Sequence, residues 1–324
     1  MTKVLDVKDL KTYFHTRDGV VKAVDGVSFS LEKGEILGLV GESGSGKTVT
    51  GFSLLGLVDA PGEIVGGRIE LNGENIVGLP EKKLRAKRGK DIAMIFQDPI
   101  ATLNPLLTIR TQMALALEAH ARFSNKEIEA RCIEVLNKVG IPDPTVRLDN
   151  YPHEFSGGMR QRVAIAITLL HSPGVIVADE PTTALDVSIQ AQILSEMRTL
   201  AKETGTAMIW ISHDLATVSS LATRLLVMYA GRVVEEGPTA QVLKNPHHPY
   251  TQGLIESLPA MATPGEPLVQ ISGTTPSLLS LPPGCPFAPR CSFSTKKCAT
   301  EPLVDRTGDR AWRCHHPLQM KEAV

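Results

Sequence analysis

The run Gly41-Glu42-Ser43-Gly44-Ser45-Gly46-Lys47-Thr48 constrains this chain more than any other stretch. The apolar residues Ile36-Leu37-Gly38-Leu39-Val40 precede it, and residues 49–57 follow with helical character, so the order reads strand, glycine-rich turn, helix. Glycines lack a Cβ, so the backbone can turn tightly enough for successive N–H groups to point into one concavity. The helix behind it adds the positive end of its dipole. Such a turn grips phosphate. Gly41, Ser43, Gly44, Ser45 and Gly46 form the predicted cradle, Lys47 reaches the β- and γ-phosphates, and the Thr48 hydroxyl ligates Mg²⁺.

Bulk properties narrow the remaining classes. With 34 Lys and Arg against 35 Asp and Glu, no basic excess points to nucleic acid and no acidic excess to a disordered tail. The 324 residues suffice for one large domain and an appendage. The first residues, Met1-Thr2-Lys3-Val4-Leu5-Asp6, mix charge into apolar positions, so no signal peptide is expected. No apolar run approaches the ~18 residues of a membrane span, and the expectation is a soluble, cytoplasmic chain.

Val4, Leu5, Val7 and Leu10, then Val24, Val27, Phe29 and Leu31, alternate around an Asp18-Gly19 turn and predict antiparallel strands. Tyr13 and Phe14 lie on this stretch, where a ring can stack on adenine or pack in the core. Residues 67–73 predict a further strand closed by Asn72-Gly73. Ile92-Ala93-Met94-Ile95-Phe96 reads as a buried strand with Gln97 at its end. From 108 to 170 the spacing is helical, with an amphipathic segment over 126–139, where Cys132 is expected as a small core residue. Ser156 is a good N-cap ahead of Gly157 and Gly158, a second anion-binding helix end with no phosphate assigned to it.

Val175-Ile176-Val177-Ala178 is a third buried strand, closed by Asp179 and Glu180. Two adjacent carboxylates at such a strand end are costly unless they serve a cation or a proton transfer, so Asp179 is assigned to Mg²⁺ and Glu180 to activating water. Met208-Ile209-Trp210-Ile211 is another core strand, followed by Ser212-His213-Asp214. It places the His213 imidazole at the strand-end edge expected for Gln97 and Glu180. Residues 225–228 and 232–234 predict a last hairpin around Gly231.

These residues resemble the nucleotide-binding subunits of ABC transporters: Walker A at 41–48, the Q-loop at Gln97, the signature at Ser156-Gly157-Gly158, Walker B ending Asp179-Glu180, the D-loop at Ala184-Leu185-Asp186 and the H-switch at His213. The resemblance implies an α/β P-loop NTPase core of RecA-like type with an antiparallel β subdomain and a helical subdomain over about 99–170, the whole spanning 1–250. It implies ATP hydrolysis with Lys47, Gln97, Glu180 and His213 in the catalytic set. Tyr13, Thr50 and Gln97 join the cradle as nucleotide contacts, and Thr48, Gln97 and Asp179 hold Mg²⁺. It also implies a head-to-tail dimer in which Ser156, Gly157 and Gly158 face the ATP bound by a second subunit, which accounts for the unassigned anion site. Binding then closes the dimer and hydrolysis resets it.

Gln97-Asp98-Pro99 with Leu103-Asn104-Pro105, Phe155-Ser156-Gly157-Gly158-Met159-Arg160-Gln161-Arg162, and Asn245-Pro246-His247-His248-Pro249-Tyr250-Thr251 narrow the resemblance to dipeptide and oligopeptide importers, in their D-type subunit. Phe155 and Met159 depart from the common Leu-Ser-Gly-Gly-Gln signature. The implied partners are a second ATP-binding subunit, two transmembrane permease subunits and, indirectly, an extracytoplasmic solute-binding protein. The implied location is the cytoplasmic face of the cell membrane. A soluble ABC remodelling ATPase, a small-molecule P-loop kinase and an importer of a different solute are the competing readings. The first usually carries two fused nucleotide domains or long coiled coils, and the second has no use for Ser156-Gly157-Gly158 or His213.

Residues 251–324 shift to Pro, Gly and Ser, with Pro259, Pro264, Pro267, Pro276, Pro282 and Pro283, and predict a loop-rich appendage. Cys285, Cys291, Cys298 and Cys314 cluster there. Four thiols in a reducing compartment argue for metal rather than disulfides, and without a CxxC pair a zinc ribbon is not indicated, although Cys314-His315-His316 leaves zinc open. Some importers of the resembled group look able to hold a [4Fe-4S] cluster on four such cysteines. Iron–sulfur, zinc and free thiols are the three alternatives here.

Overall fold

The computed structural model describes residues 2–98, 102–182, 185–261, 265 and 269–318. Pro99, Ala184, Pro264 and Pro267, named above, lie outside these. In chain order the elements begin with β1 (Lys3–Thr16), β2 (Gly19–Glu32), β3 (Ile36–Val40), α1 (Lys47–Leu55), β4 (Gly62–Leu71), β5 (Glu74–Asn75), α2 (Glu81–Lys87) and β6 (Ile92–Ile95). Helices α3 (Ile109–Glu118), α4 (Asn125–Lys138), α5 (Pro144–Arg147) and α6 (Gly157–Leu169) follow, then β7 (Val175–Asp179), α7 (Val187–Thr204), β8 (Ala207–Ser212) and α8 (Leu215–Leu221). The chain continues through β9 (Arg224–Tyr229), β10 (Arg232–Pro238), α9 (Thr239–Lys244), α10 (Pro249–Glu256), β11 (Asp305–Thr307) and β12 (Arg310–Trp312). Packing divides it into two compact units, one of residues 1–4, 31–35 and 78–209, the other of 5–30, 36–77 and 210–324.

In the second unit the alternation read in the first residues becomes a sheet of order β2-β1-β4-β5. Leu5, Val7, Leu10, Val24 and Val27 are buried, and the alternation changes phase twice, at Asp9 and at Gly26, both of which lie at positive φ. Strand β1 runs antiparallel to β4 from Leu5 opposite Leu71 to Phe14 opposite Gly62, with register shifts between Lys8 and Thr12. Asn72 and Gly73, both at positive φ, turn β4 into β5.

The same unit contains β3 parallel to β9, with Leu39 opposite Leu226, and β9 antiparallel to β10. Every residue of β3 is buried, which is why it reads as an unbroken apolar run. The expectation that residues 225–234 form the last hairpin is corrected here. Residues 305–312 make another, and β12 extends the sheet by pairing with β10, Glu235 opposite Trp312 and Glu236 opposite Ala311. Strands of three residues are too short to show alternation. Their stability comes from lying along an otherwise open sheet edge.

In the first unit β6 and β7 are parallel, Ile92 opposite Val175 through Ile95 opposite Ala178, with all nine residues buried. The helical stretch is punctuated by side-chain caps. Thr108 accepts from Thr111 N, and Ser124 and Glu127 form a reciprocal capping box on α4. Cys132 is fully buried on α4, as expected of a small core residue, and burial pushes its thiol up to about 11. Helix α6 is buried on nearly all sides beyond its first turn, from Gln161 to Ala166. Helix α7 buries Ile193, Met197 and Ala201 at four-residue spacing and stops at Gly205 in the left-handed conformation.

Candidate nucleotide site

The loop 41–48 leaves the end of β3 and enters α1 at Lys47. Gly46 has φ 99°, and a Cβ there would stand 2.1 Å from the Ala23 carbonyl oxygen, so only glycine fits. The Gly231 N–H donates to Ser45 O at 3.0 Å, tying the loop to the β9–β10 turn. Lys47 is buried, and its ammonium donates to the carbonyls of Gly41 at 2.8 Å and Glu42 at 3.0 Å. Ser43, Gly44 and Thr48 are exposed. Thr50 faces inward: it is 1% exposed, and its hydroxyl donates to Gly46 O at 2.9 Å with Met228 Sδ also in reach. As placed, it presents its hydroxyl to the protein rather than to a ligand.

Glu42 is held at three points by residues far along the chain. Its N–H donates to the Tyr250 hydroxyl at 2.8 Å, while Arg290 donates to both carboxylate oxygens at 2.7 and 3.0 Å and Thr275 reaches one of them at 3.4 Å. The hydrogen bond to Glu42 holds the Arg290 guanidinium above its usual range. Tyr250 sits in an aromatic cluster with Tyr229 and Phe287, ring centroids 4.6 and 5.4 Å away, and burial pushes its phenol up.

The motif 245–251 owes its form to a buried carboxylate. Glu235 on β10 is fully buried and accepts from the backbone N–H groups of His247 at 2.8 Å and His248 at 2.9 Å, and from Arg310 of β12 at 2.6 Å. Arg310 also donates to Asn245 O at 2.7 Å. His248 Nδ1 accepts from Tyr250 N at 3.0 Å, and burial without an anionic partner pushes this imidazole down to about 3. Hydrogen bonds thus run from β12 through Glu235, His248 and Tyr250 to the phosphate loop. Sequence reasoning missed Tyr250, Arg290, Glu235 and Arg310 as parts of the site. The one available signal was the density of polar and aromatic residues in 245–251.

Tyr13 donates to Asp25 at 2.7 Å, and the same carboxylate accepts from Arg232 at 2.7 Å. Burial and the hydrogen bond to Asp25 push the Tyr13 phenol up to about 12. Burial raises the Asp25 carboxyl, but the bonds from Arg232 and Tyr13 outweigh it and hold the group below its usual value. The Lys22 ammonium lies 5.5 Å from the centre of the Tyr13 ring, a cation over a half-buried aromatic face.

In the first unit Asp179 closes β7 almost fully buried, and Glu180 follows at φ 46°, a left-handed conformation that costs a non-glycine residue about 1–3 kcal/mol and gathers at functional sites. This turn brings the Glu180 carboxylate to Gln97, whose amide donates to it at 3.1 Å, so the structure joins two of the predicted catalytic residues. Ser156 caps α6, accepting from Met159 N at 3.3 Å, with Ser156 and Gly157 exposed and Phe155 buried beneath. In the second unit His213 is exposed at the end of β8, and Asp214 caps α8.

The four C-terminal cysteines share a region. Cys285 N donates to Cys298 O at 2.9 Å, and the charge of neighbouring thiols adds to burial in raising Cys285, Cys291 and Cys314, the last to about 11. The sulfurs of Cys285, Cys291 and Cys314 each accept an N–H from the residue two positions on, Phe287, Phe293 and His316, a pattern suited to holding thiolates. Among the described residues, no three His, Cys, Asp or Glu groups stand close enough to hold a metal ion. His315 and His316 are engaged with Thr300 O at 3.0 Å and the Thr295 hydroxyl at 2.7 Å. No helix among the described residues is long and apolar enough to cross a membrane.

A glycine-rich loop between a buried strand and a helix, with an acidic pair closing another buried strand, defines a P-loop nucleotide triphosphatase. Comparison with known proteins makes the class specific. Residues 24–183 match the ABC transporter family model, and residues 234–298 match that of the oligopeptide/dipeptide transporter C-terminal region. The chain is 46% identical to the oligopeptide transport ATP-binding protein OppD of Escherichia coli, covering 98% of this chain and 94% of the relative. It is 43% identical to the dipeptide transport ATP-binding protein DppD of the same organism, covering 97% of each. Among solved structures it is similar to the dimeric MJ0796, a bacterial ABC transporter cassette, with TM-score 0.66 and 26% identity over 72% of this chain and 98% of that one. It is also similar to cbiO1 from Clostridium perfringens, with TM-score 0.64 and 27% identity over 75% and 91%. The chain belongs to the ABC transporter family, as one of its ATP-hydrolysing subunits.

Proposed function

We propose that this chain is the ATP-hydrolysing motor subunit of an importer of dipeptides or oligopeptides. The observation that carries the reading is similarity along nearly the full chain to peptide-import ATP-binding subunits, including the C-terminal region specific to oligopeptide/dipeptide transporters. Gly41, Ser43, Gly44, Ser45 and Gly46 cradle the phosphates. Lys47 leaves the loop carbonyls for the β- and γ-phosphates, Thr48, Asp179 and Gln97 hold Mg²⁺, and Tyr13 lies under the adenine. Glu180 accepts a proton from the attacking water, with Gln97 and His213 orienting it. Ser156, Gly157 and Gly158 face the nucleotide of a second ATP-binding subunit, so that two ATP molecules cross-link the pair. Two permease subunits, fed by an extracytoplasmic solute-binding protein, place the assembly on the cytoplasmic face of the cell membrane.

We propose further that Cys285, Cys291, Cys298 and Cys314 are the ligands of a [4Fe-4S] cluster that fastens the C-terminal region. The N–H groups directed at three of the sulfurs support this ligand set, and a cluster would supply rigidity to a piece with little core of its own. Against it, among the described residues no three His, Cys, Asp or Glu groups stand close enough to hold a metal ion. Iron and acid-labile sulfide near four per chain in anaerobically purified protein are expected, whereas zinc or no metal refutes the cluster.

The test of the motor is closure. With Glu180→Gln, ATP should hold this chain and its partner ATP-binding subunit in a stable heterodimer, measured by light scattering. Failure of ATP to hold that pair together refutes the sandwich.

A further inference from the structure

Glu42 brings a carboxylate into a loop built to hold a triphosphate. A full negative charge on that loop opposes anion binding unless it is neutralised, and a bidentate guanidinium is an effective neutraliser. Arg290 meets this need. Its side chain is 5% exposed, it donates to both Glu42 oxygens, and its Nε is anchored on Ser272 O at 2.9 Å, so the fork is aimed before any ligand arrives. The Tyr250 hydroxyl takes the Glu42 N–H, fixing the backbone at the same residue.

We propose that Arg290, in the C-terminal region, is a positioning residue for nucleotide binding: by pairing with Glu42 it anchors the start of the phosphate loop and removes an opposing charge from beside the triphosphate. The proposal rests on the reading of 41–48 as the nucleotide loop. It gives the C-terminal region a direct effect on the motor's affinity for ATP, through one ion pair.

The test uses the full-length chain and a fluorescent N-methylanthraniloyl ATP with Mg²⁺. Arg290→Ala is expected to raise Kd about tenfold at low salt, and clearly less at high salt where the freed Glu42 charge is screened. In a Glu42→Gln background, where no charge remains to be neutralised, the same substitution should change Kd by less than about twofold. Arg290→Lys keeps the charge without the fork and should fall between wild type and Arg290→Ala. A merely structural arginine would act equally with or without the Glu42 carboxylate and without regard to salt, and either result overturns the proposal. If Arg290→Ala fails to fold, Arg290→Lys compared in the Glu42 and Glu42→Gln backgrounds gives the same cycle. Wild-type protein that binds no nucleotide refutes the reading of the loop itself, whereas wild-type binding with an unaffected Arg290→Ala refutes only the role of Arg290.

Discussion

Arg290 and Glu42 stand 248 positions apart in the chain and meet as a two-pronged ion pair, guanidinium nitrogens 2.7 and 3.0 Å from the two carboxylate oxygens. The phosphate loop is therefore braced by the C-terminal region as well as by the strand and helix that flank it. The same region adds β12 to the sheet beside β10, and the buried Glu235 connects these two features through the turn that carries Tyr250.

The buried pair of Glu235 and Arg310 carries the clearest stability prediction. Arg310→Ala would leave a fully buried carboxylate with only two backbone N–H partners, a loss of about 3–5 kcal/mol. Denaturant unfolding of the purified chain measures it, and a loss below about 1 kcal/mol would mean that the pair is not buried as described.

His248 sets an acid limit. Its folded pKa lies near 3 against an ordinary value near 6.5, so between these values the unfolded chain binds a proton that the folded chain refuses. Stability is then complete above pH 6.5 and falls as pH drops, by about 1.4 kcal/mol per unit from this group alone. In His248→Asn the amide oxygen can still accept the Tyr250 N–H but cannot titrate, and a shallower loss between pH 6.5 and 5 is expected from unfolding curves across that range.

Gly46→Ala should abolish nucleotide binding. The added methyl carbon would collide with the Ala23 carbonyl, and alanine at that positive φ adds strain of about 1 kcal/mol or more. Calorimetric titration with ATP should show no binding, with a lowered thermal midpoint. Retained affinity would mean that the loop is more plastic than its contacts with β2 allow.

Much of this was legible in the sequence because the candidate residues close short, fully buried strands. An unbroken apolar run followed by polar residues marks a strand end, and β3, β6, β7 and β8 each announce Gly41, Gln97, Asp179-Glu180 and His213 in that way. The brace on Glu42 was not legible. Nothing local in the sequence distinguishes Arg290 from an exposed arginine, and its partner is fixed only when the C-terminal region folds back. The hairpin β11–β12 escaped for a related reason, since Asp305, Arg306 and Thr307 are all exposed and show no period. Thr50, which the family resemblance adds to the nucleotide contacts, turns its hydroxyl back to Gly46 O at 2.9 Å, an orientation that no sequence pattern shows.

Glu180→Gln separates binding from turnover. It removes the proposed base while preserving size, so ATP affinity should persist and hydrolysis fall by about 10²–10⁴-fold, read from phosphate release by the assembled transporter. Equal losses of binding and turnover would point to a structural role for the strained residue.

ATP hydrolysed by this chain is proposed to drive peptide uptake. Its most direct measurement is accumulation of a labelled dipeptide or oligopeptide by proteoliposomes holding the complete importer, with ATP at the face this subunit occupies and binding protein at the other. Uptake that requires ATP and stops with Glu180→Gln is expected. Peptide accumulation undiminished by that substitution, or ATP hydrolysis that no peptide-loaded binding protein stimulates, would contradict it.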